Sequence, residues 1–233
     1  PLLAGILLAM VVAALVSVLM ELTIYRPMRK RNALKLYLMI AALGISTFVP
    51  NLAIQLFGGG VRAFPSEWAK KVVNFGGVVI PRADILAAVL SLSMLIVLWF
   101  FLYKSKVGLG IRASSFDTGT AALMGINVNF VAIVIFVLSG AAAGLAGCFY
   151  GMKYSVYPNM GNVAMKGFVA STVGGLGSLP GAVFSGLLLG FLETMISSYV
   201  STTYRDLVAY GLLVLVLIFK PNGLFGKGVH DKL

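Results

Sequence analysis

Runs of about 20 apolar residues recur along this chain, and their length constrains it more than any other feature. A helix rises about 1.5 Å per residue, so about 20 residues cross the roughly 30 Å hydrocarbon core of a bilayer. Such runs fill Leu2–Met20, Leu36–Phe57, Ile85–Tyr103, Phe130–Met152, Val183–Tyr199 and Leu207–Phe219. None alternates apolar with polar residues, as the strands of a membrane barrel do. In lipid the backbone must satisfy its own hydrogen bonds, so the runs read as helices. The expected fold is all-α: a polytopic transmembrane helical bundle.

Composition agrees. Of the 233 residues, 60% are hydrophobic and 11% charged, well under the ~25% of soluble domains. The net charge is +11. In a soluble protein that would suggest nucleic acid. Here the basic residues lie mostly between apolar runs, where orientation and lipid headgroups explain them, so no nucleic-acid partner is expected.

The densest basic cluster holds Arg26, Arg29, Lys30, Arg31 and Lys35 and is expected in the cytoplasm. Alternation then places the loop at 104–128 on the same side, and the C-terminal tail with it if the short apolar segment Gly167–Gly175 crosses or dips to the inner side. These inside segments carry eleven of the eighteen Lys and Arg. Seven fall outside, four of them between Gly58 and Arg82, against the general bias. The chain opens on Pro1 within an apolar run and lacks the basic region of a signal peptide, so it is expected to be a fragment with further sequence ahead of it.

Between the spans the sequence is more particular. Pro50 and Asn51 lie inside the second run and predict a kink or a break. "FGGVVIP" in the long Gly58–Arg82 segment predicts a short strand or hairpin piece. "GFVASTVGG", Gly167–Gly175, is apolar but about half the spanning length. Gly140 and Gly144, Ala143 and Gly147, and Gly186 and Gly190 stand four apart, as small residues do where helices pack closely in lipid.

An enzyme's engine is missing. Seven acidic residues are scattered along the chain, and no two of them sit close in sequence with a histidine as an acid–base or metal site prefers. Cys148 is the only cysteine and His230 the only histidine, the latter expected to be solvated in the tail. No G-x-x-x-x-G-K-[ST] occurs, so ATP chemistry is expected on another chain, with no cofactor here. Glu193 is the exception: a carboxylate inside an apolar run is costly. It reads either as a residue of a translocation path or as a structural partner of Lys166 or Arg205.

"GIRASSFDTGTAALMGIN", Gly110–Asn127, is too polar to cross a bilayer yet has the signals of a short helix. Ser114 or Ser115 can cap its start, with Asp117 in the first turn. Gly125 can close it in the left-handed conformation. Phe116, Thr120, Leu123 and Met124 share one face at helical spacing. Such a helix fits a partner's groove or lies at the membrane surface, and the residues alone do not choose.

Five motifs in order carry a resemblance. "YRPMR" at Tyr25–Arg29, the 110–127 stretch, "GGLGSLPGA" at Gly174–Ala182, "GLLLGFLET" around Glu193 and "KPNGLFG" at Lys220–Gly226 are similar to motifs of the permeases of branched-chain amino-acid ABC importers, the LivH/LivM type. The resemblance extends over nearly the whole chain and implies a type II-like ABC importer permease in the bacterial inner membrane, multi-pass, with a cytoplasmic C-terminus.

It also implies cytoplasmic ABC ATPase subunits, a second permease subunit (identical or not) and a periplasmic substrate-binding protein as partners. Within the loop at 104–128, it makes Ser115, Phe116, Asp117, Thr118, Ala121, Ala122, Leu123 and Gly125 the contact with the ATPase, and Arg112 a residue that steadies the loop or pairs with the partner. Pro50, Asn51 and Glu193 are the candidates for the translocation path. Family members carry an Asn-Phe-Ala-His-Gly-like segment before the "YRP" loop, which this chain does not show. Permeases for urea, amides or sugars, a passive channel and an integral-membrane enzyme remain as alternatives. A channel would leave the capped helix without a partner.

Overall fold

The computed structural model describes residues 2–31, 33–63, 72–75 and 78–226. His230 and its expected solvation lie outside them. Six helices among the described residues are long and apolar enough to cross a membrane, and they coincide with the six predicted runs. The chain divides into two compact units, residues 1–160 and 161–233.

In the first unit, α1 (Leu2–Met20) continues through a π-helical turn, Glu21–Tyr25, into α2 (Arg26–Lys30). The widened turn directly precedes Pro27, which has no N–H to give the helical ladder. There the Arg26 N–H bonds the Glu21 carbonyl, five residues back. α3 (Lys35–Phe57) runs through Pro50 without interruption, so the predicted break does not occur. Pro50 frees a carbonyl one turn back, but polar side chains bond the backbone around it. Asn51 Nδ2 donates to the Thr47 carbonyl at 2.8 Å, and the Thr47 hydroxyl to that of Gly44 at 2.9 Å.

β1 (Val72–Phe75) and β2 (Val78–Pro81) pair antiparallel, with Val72 opposite Pro81 and Phe75 opposite Val78. The predicted strand is therefore half of a paired ribbon, and Pro81 ends it where α4 (Arg82–Lys104) begins. α5 (Lys106–Phe116), α6 (Thr118–Leu123) and α7 (Val128–Tyr154) complete the unit.

α7 packs along α1. Two glycines make that possible. A Cβ on Gly144 would lie 2.7 Å from the Ala9 carbonyl oxygen and 2.9 Å from Met10 Cα; one on Gly140 would lie 2.7 Å from Ser17 Cβ. Of the three predicted small-residue pairs, this one is at a close helix contact. Gly147 and Gly190 face open space, and Gly186 has only ordinary contact with Ala170. A salt bridge of 3.1 Å ties Lys153, in the last turn of α7, to Asp84 in the first turn of α4.

The second unit holds α8 (Val163–Gly174), α9 (Leu179–Tyr199) and α10 (Arg205–Phe219). α8 contains most of the half-length apolar segment and has 12 residues, about 18 Å of helix, too short to span. Its core joins Val169 and Val173 of α8 to Leu189 of α9 and Ala209 of α10. After α8 the chain turns through Gly175 and Gly177, both at positive φ, and Ser178 caps α9 by accepting from the Gly181 N–H.

The residues after α10 return to this turn. The Leu224 N–H bonds the Val173 carbonyl at 2.8 Å and the Phe225 N–H that of Gly174 at 3.0 Å. The Phe225 ring stands edge-on to Phe184, 5.5 Å between centroids. Gly223, at φ 77°, lies so close to Gly175 that a Cβ would sit 2.5 Å from its Cα. Two motifs far apart in sequence thus form one backbone knot, in which a side chain on either glycine meets main chain.

Candidate functional site

The polar stretch between α4 and α7 is two helices in series rather than one. Ser105 caps α5 by accepting from the Gly108 N–H at 2.9 Å. α5 then runs to Phe116, so Ser114 and Ser115 lie inside its last turns instead of capping a helix. The Ser115 hydroxyl donates to the Arg112 carbonyl at 2.7 Å. Asp117 adopts extended backbone and itself caps α6, accepting from the Gly119 N–H at 2.8 Å and from the Thr120 hydroxyl. The sequence placed Asp117 in the first turn; it is the cap. A side chain with two acceptor oxygens can break one helix and start the next. The Thr120 hydroxyl and the Gly119 and Thr120 N–H groups hold its carboxyl below the usual carboxylate range.

Gly125 closes α6 as predicted, at φ 82°. Its N–H bonds the Ala122 carbonyl at 3.0 Å, and the Ile126 N–H bonds that of Ala121 at 3.1 Å. This paired bonding is the Schellman pattern, which satisfies the last helical carbonyls.

This turn carries three large apolar side chains outward. Phe116, Leu123 and Met124 are 93%, 89% and 80% exposed. All three lie at capped helix ends with bonded backbone, so their exposure is built in. Ser115, Asp117, Thr118, Ala122 and Gly125 are also exposed. Ala121 is not: it is 4% exposed, covered within the chain itself. The Arg112 guanidinium lies over the Tyr103 ring, 5.0 Å from its centroid. Of its two expected roles, this favours steadying the loop, by a cation–π contact between α5 and α4.

Glu193 lies at 4% exposure on α9. Both basic residues named as alternative partners engage it: Lys166 Nζ of α8 at 3.0 Å and Arg205 Nε of α10 at 2.6 Å. Lys166 also reaches Asp206 at 2.7 Å. Two cations and two anions from three helices form a neutral cluster. These pairs favour the structural alternative for Glu193, in the second unit; Pro50 and Asn51 belong to α3 of the first, where they lie on a helix with no buried residue in its candidate span.

Sequence reasoning missed a second buried ion pair. Glu21, fully buried, accepts from both terminal nitrogens of the Arg29 guanidinium. A carboxylate at the end of an apolar run, eight residues before an arginine, was the available signal. The π-helical turn between them, not visible in the sequence, brings them into register. Among the described residues no group of three or more His, Cys, Asp or Glu could hold a metal ion.

Comparison with known proteins agrees with these features. Residues 1–217 match the family model described as the permease component of the branched-chain amino acid transport system. The chain is 36% identical to the high-affinity branched-chain amino acid transport system permease protein LivH of Escherichia coli K12, covering 99% of this chain and 76% of that protein. It is equally 36% identical to BraD, the corresponding permease protein of Pseudomonas aeruginosa, over 91% of this chain and 71% of that one. A probable branched-chain amino acid transport permease protein LivH of Methanocaldococcus jannaschii is 29% identical over 93% and 72%. No solved structure matches the chain.

Proposed function

The chain belongs to the family of branched-chain amino acid transport system permease components, and we propose that it is one of two paired membrane subunits of an ATP-driven importer for branched-chain or other small amino acids. It is a transport subunit, and ATP is bound and hydrolysed on a separate cytoplasmic chain. A second permease subunit completes the pathway and an external binding protein delivers substrate. The protein sits in the inner membrane with the α5–α6 loop and the C-terminus in the cytoplasm.

One observation carries this reading: the exposed apolar triad Phe116, Leu123 and Met124 on a capped, self-bonded turn. Three large apolar side chains in water are unfavourable unless a partner covers them, and a rigid turn transmits force where a loose loop would absorb it. ATP-driven closure of the ATPase pair pushes on this turn. α5 carries the push to α4 through the Arg112–Tyr103 contact, and the paired subunits alternate between outward and inward access.

The test is disulfide or bifunctional crosslinking from single cysteines at Thr118 and Leu123, in a Cys148→Ser background, to ATPase subunits encoded beside this permease. Thr118 and Leu123 are exposed. Crosslinks that change yield with ATP are the expected result. A folded, assembled complex that crosslinks from neither position overturns the coupling role.

A further inference from the structure

The polarity of α3 is reversed for a helix bathed in lipid. Its described half-buried residues are all apolar, and Ala41, Ile45, Val49 and Ala53 repeat at every fourth position along one face. Its described polar side chains are all exposed. Gly44, Thr47, Asn51 and Gln55 fall three or four positions apart and share a second face, exposed throughout. With 3.6 residues per turn, or about 100° per residue, the two faces stand about 130° apart around the helix. The chain thus half-covers an apolar face of α3 and turns a polar one away from itself. No other described element packs along the helix.

The bonds of these side chains can be accounted for singly. Ser46, polar but off this face, directs its hydroxyl to the Leu43 carbonyl at 2.7 Å. Thr47 directs its own to the Gly44 carbonyl at 2.9 Å. Asn51 gives one N–H to the Thr47 carbonyl at 2.8 Å. Its second N–H and its Oδ1, and the whole Gln55 amide, bond nothing among the described residues. Gln55 stands near the end of α3, but Asn51 lies about 9 Å deeper. Hydrocarbon offers an amide no partner, so polar groups at that depth face protein or a water-filled space.

We propose that Gly44, Thr47, Asn51 and Gln55 line a water-filled path between this subunit and the paired one. The proposal rests on the importer reading for the existence of the path and the pair. A tightly packed helix fits this face less well. Close approach needs small residues across the contact, whereas this face projects two amides and is flanked by Leu43 and Phe48, 69% and 64% exposed. Water meets open donors and acceptors at any angle. None of the four residues carries a charge, so the face offers hydrogen bonds without an ion pair that would hold a passing solute. The buried carboxylates of both units are already matched, Glu21 by Arg29 and Glu193 by Lys166 and Arg205. The face extends about 16 Å, half of the hydrocarbon core. In the orientation proposed above it runs from mid-membrane to the outer surface.

The assembled complex, with Cys148→Ser and one cysteine at a time, is placed in nanodiscs, and its rate of modification by a charged, water-soluble methanethiosulfonate is measured. Thr47→Cys, Asn51→Cys and Gln55→Cys report the polar face. Ser46→Cys and Leu52→Cys, also exposed within the subunit and at similar depth, report other faces. Modification at Thr47 and Asn51 at least tenfold faster than at Ser46 and Leu52 is expected. Rates on the polar face no faster than at the two controls overturn the proposal. If Asn51→Cys is then joined to the paired subunit by oxidative crosslinking to a cysteine there, the occupant is a packed helix. Asn51→Leu and Gln55→Leu are expected to slow uptake severalfold in complexes that still assemble; unchanged uptake with both in place also overturns it. The modification rate reads water access without uptake. A complex that is modified rapidly on this face but takes up no amino acid would overturn the importer reading and leave the water-filled face standing.

Discussion

The Lys166 ammonium of α8 stands 3.0 Å from the Glu193 carboxylate of α9, and the same ammonium reaches Asp206 of α10 at 2.7 Å. One lysine thus ties the half-length helix to both full-length neighbours. α8 buries Val169 and Val173 against those helices, but it is too short to be held in place by the bilayer alone.

Removing Glu193 takes from Arg205 and Lys166 the buried carboxylate they share. Breaking a fully buried pair costs ~3–5 kcal/mol. The Lys166 and Arg205 side chains are 26% and 37% exposed, and solvent screening lowers the expected cost of Glu193→Ala to about 2 kcal/mol. Thermal denaturation of the purified subunit measures it. Glu193→Gln keeps the shape and one acceptor and should lose less. If Glu193→Gln is as stable as the parent yet blocks uptake, Glu193 belongs to the translocation path and not merely to the scaffold.

Gly144 and Gly147 are separated by less than one helical turn but should respond oppositely. Gly144→Val places carbon against the Ala9 carbonyl and the Ala13 side chain, and forcing such contacts apart costs about 1–3 kcal/mol. Gly147→Ala meets nothing within 4 Å and should leave the subunit's own stability unchanged or slightly raised. Comparing the two melting curves isolates packing from glycine content.

Leu123→Asp and Met124→Ser alter side chains that are 89% and 80% exposed. The permease should fold and insert as before. Co-purification of the ATPase should fall at least tenfold, as expected when truncating a hot spot costs ~2 kcal/mol. Normal ATPase recovery with both substitutions in place would remove the docking role of this surface.

Acid should loosen the same surface. The Asp117 carboxyl titrates below its ordinary value of 3.8 because Thr120 and two N–H groups bond its ionised form. Its capping contribution is therefore complete above that ordinary value and is lost as pH falls through the lower, folded-state value. Amide exchange at Gly119 and Thr120, corrected for intrinsic rate, is expected to accelerate below about pH 4. Asp117→Asn keeps an acceptor and loses the charge, so its corrected exchange should not change over that range.

Much of the fold is legible because spanning helices are local objects. The apolar run Leu2–Met20 marked the start and type of the first helix, but the helix continues through a π-helical turn to Lys30, an end that the run did not show. Gly125 was legible as a helix stop for a similar reason: the left-handed turn is a property of that residue. Asp117 was misplaced because capping depends on which residue leaves helical backbone first, and Ser114, Ser115 and Asp117 all compete for it. Of the kink or break expected at Pro50, the break does not occur, because a helix can run on through a proline in its tertiary setting.

By itself the sequence determined the six spans, the half-length segment between two of them, and the polar capped stretch that resembles a coupling loop. These follow from contiguous residues measured against a bilayer or a helical turn. The tertiary structure decided which small-residue pair meets a neighbour, that Glu193 holds two cations, and that Ala121 is buried while Phe116, Leu123 and Met124 are not. Each of those facts depends on groups brought together from distant positions in the chain, or on which face of a helix is covered, and neither local length nor periodicity carries that information.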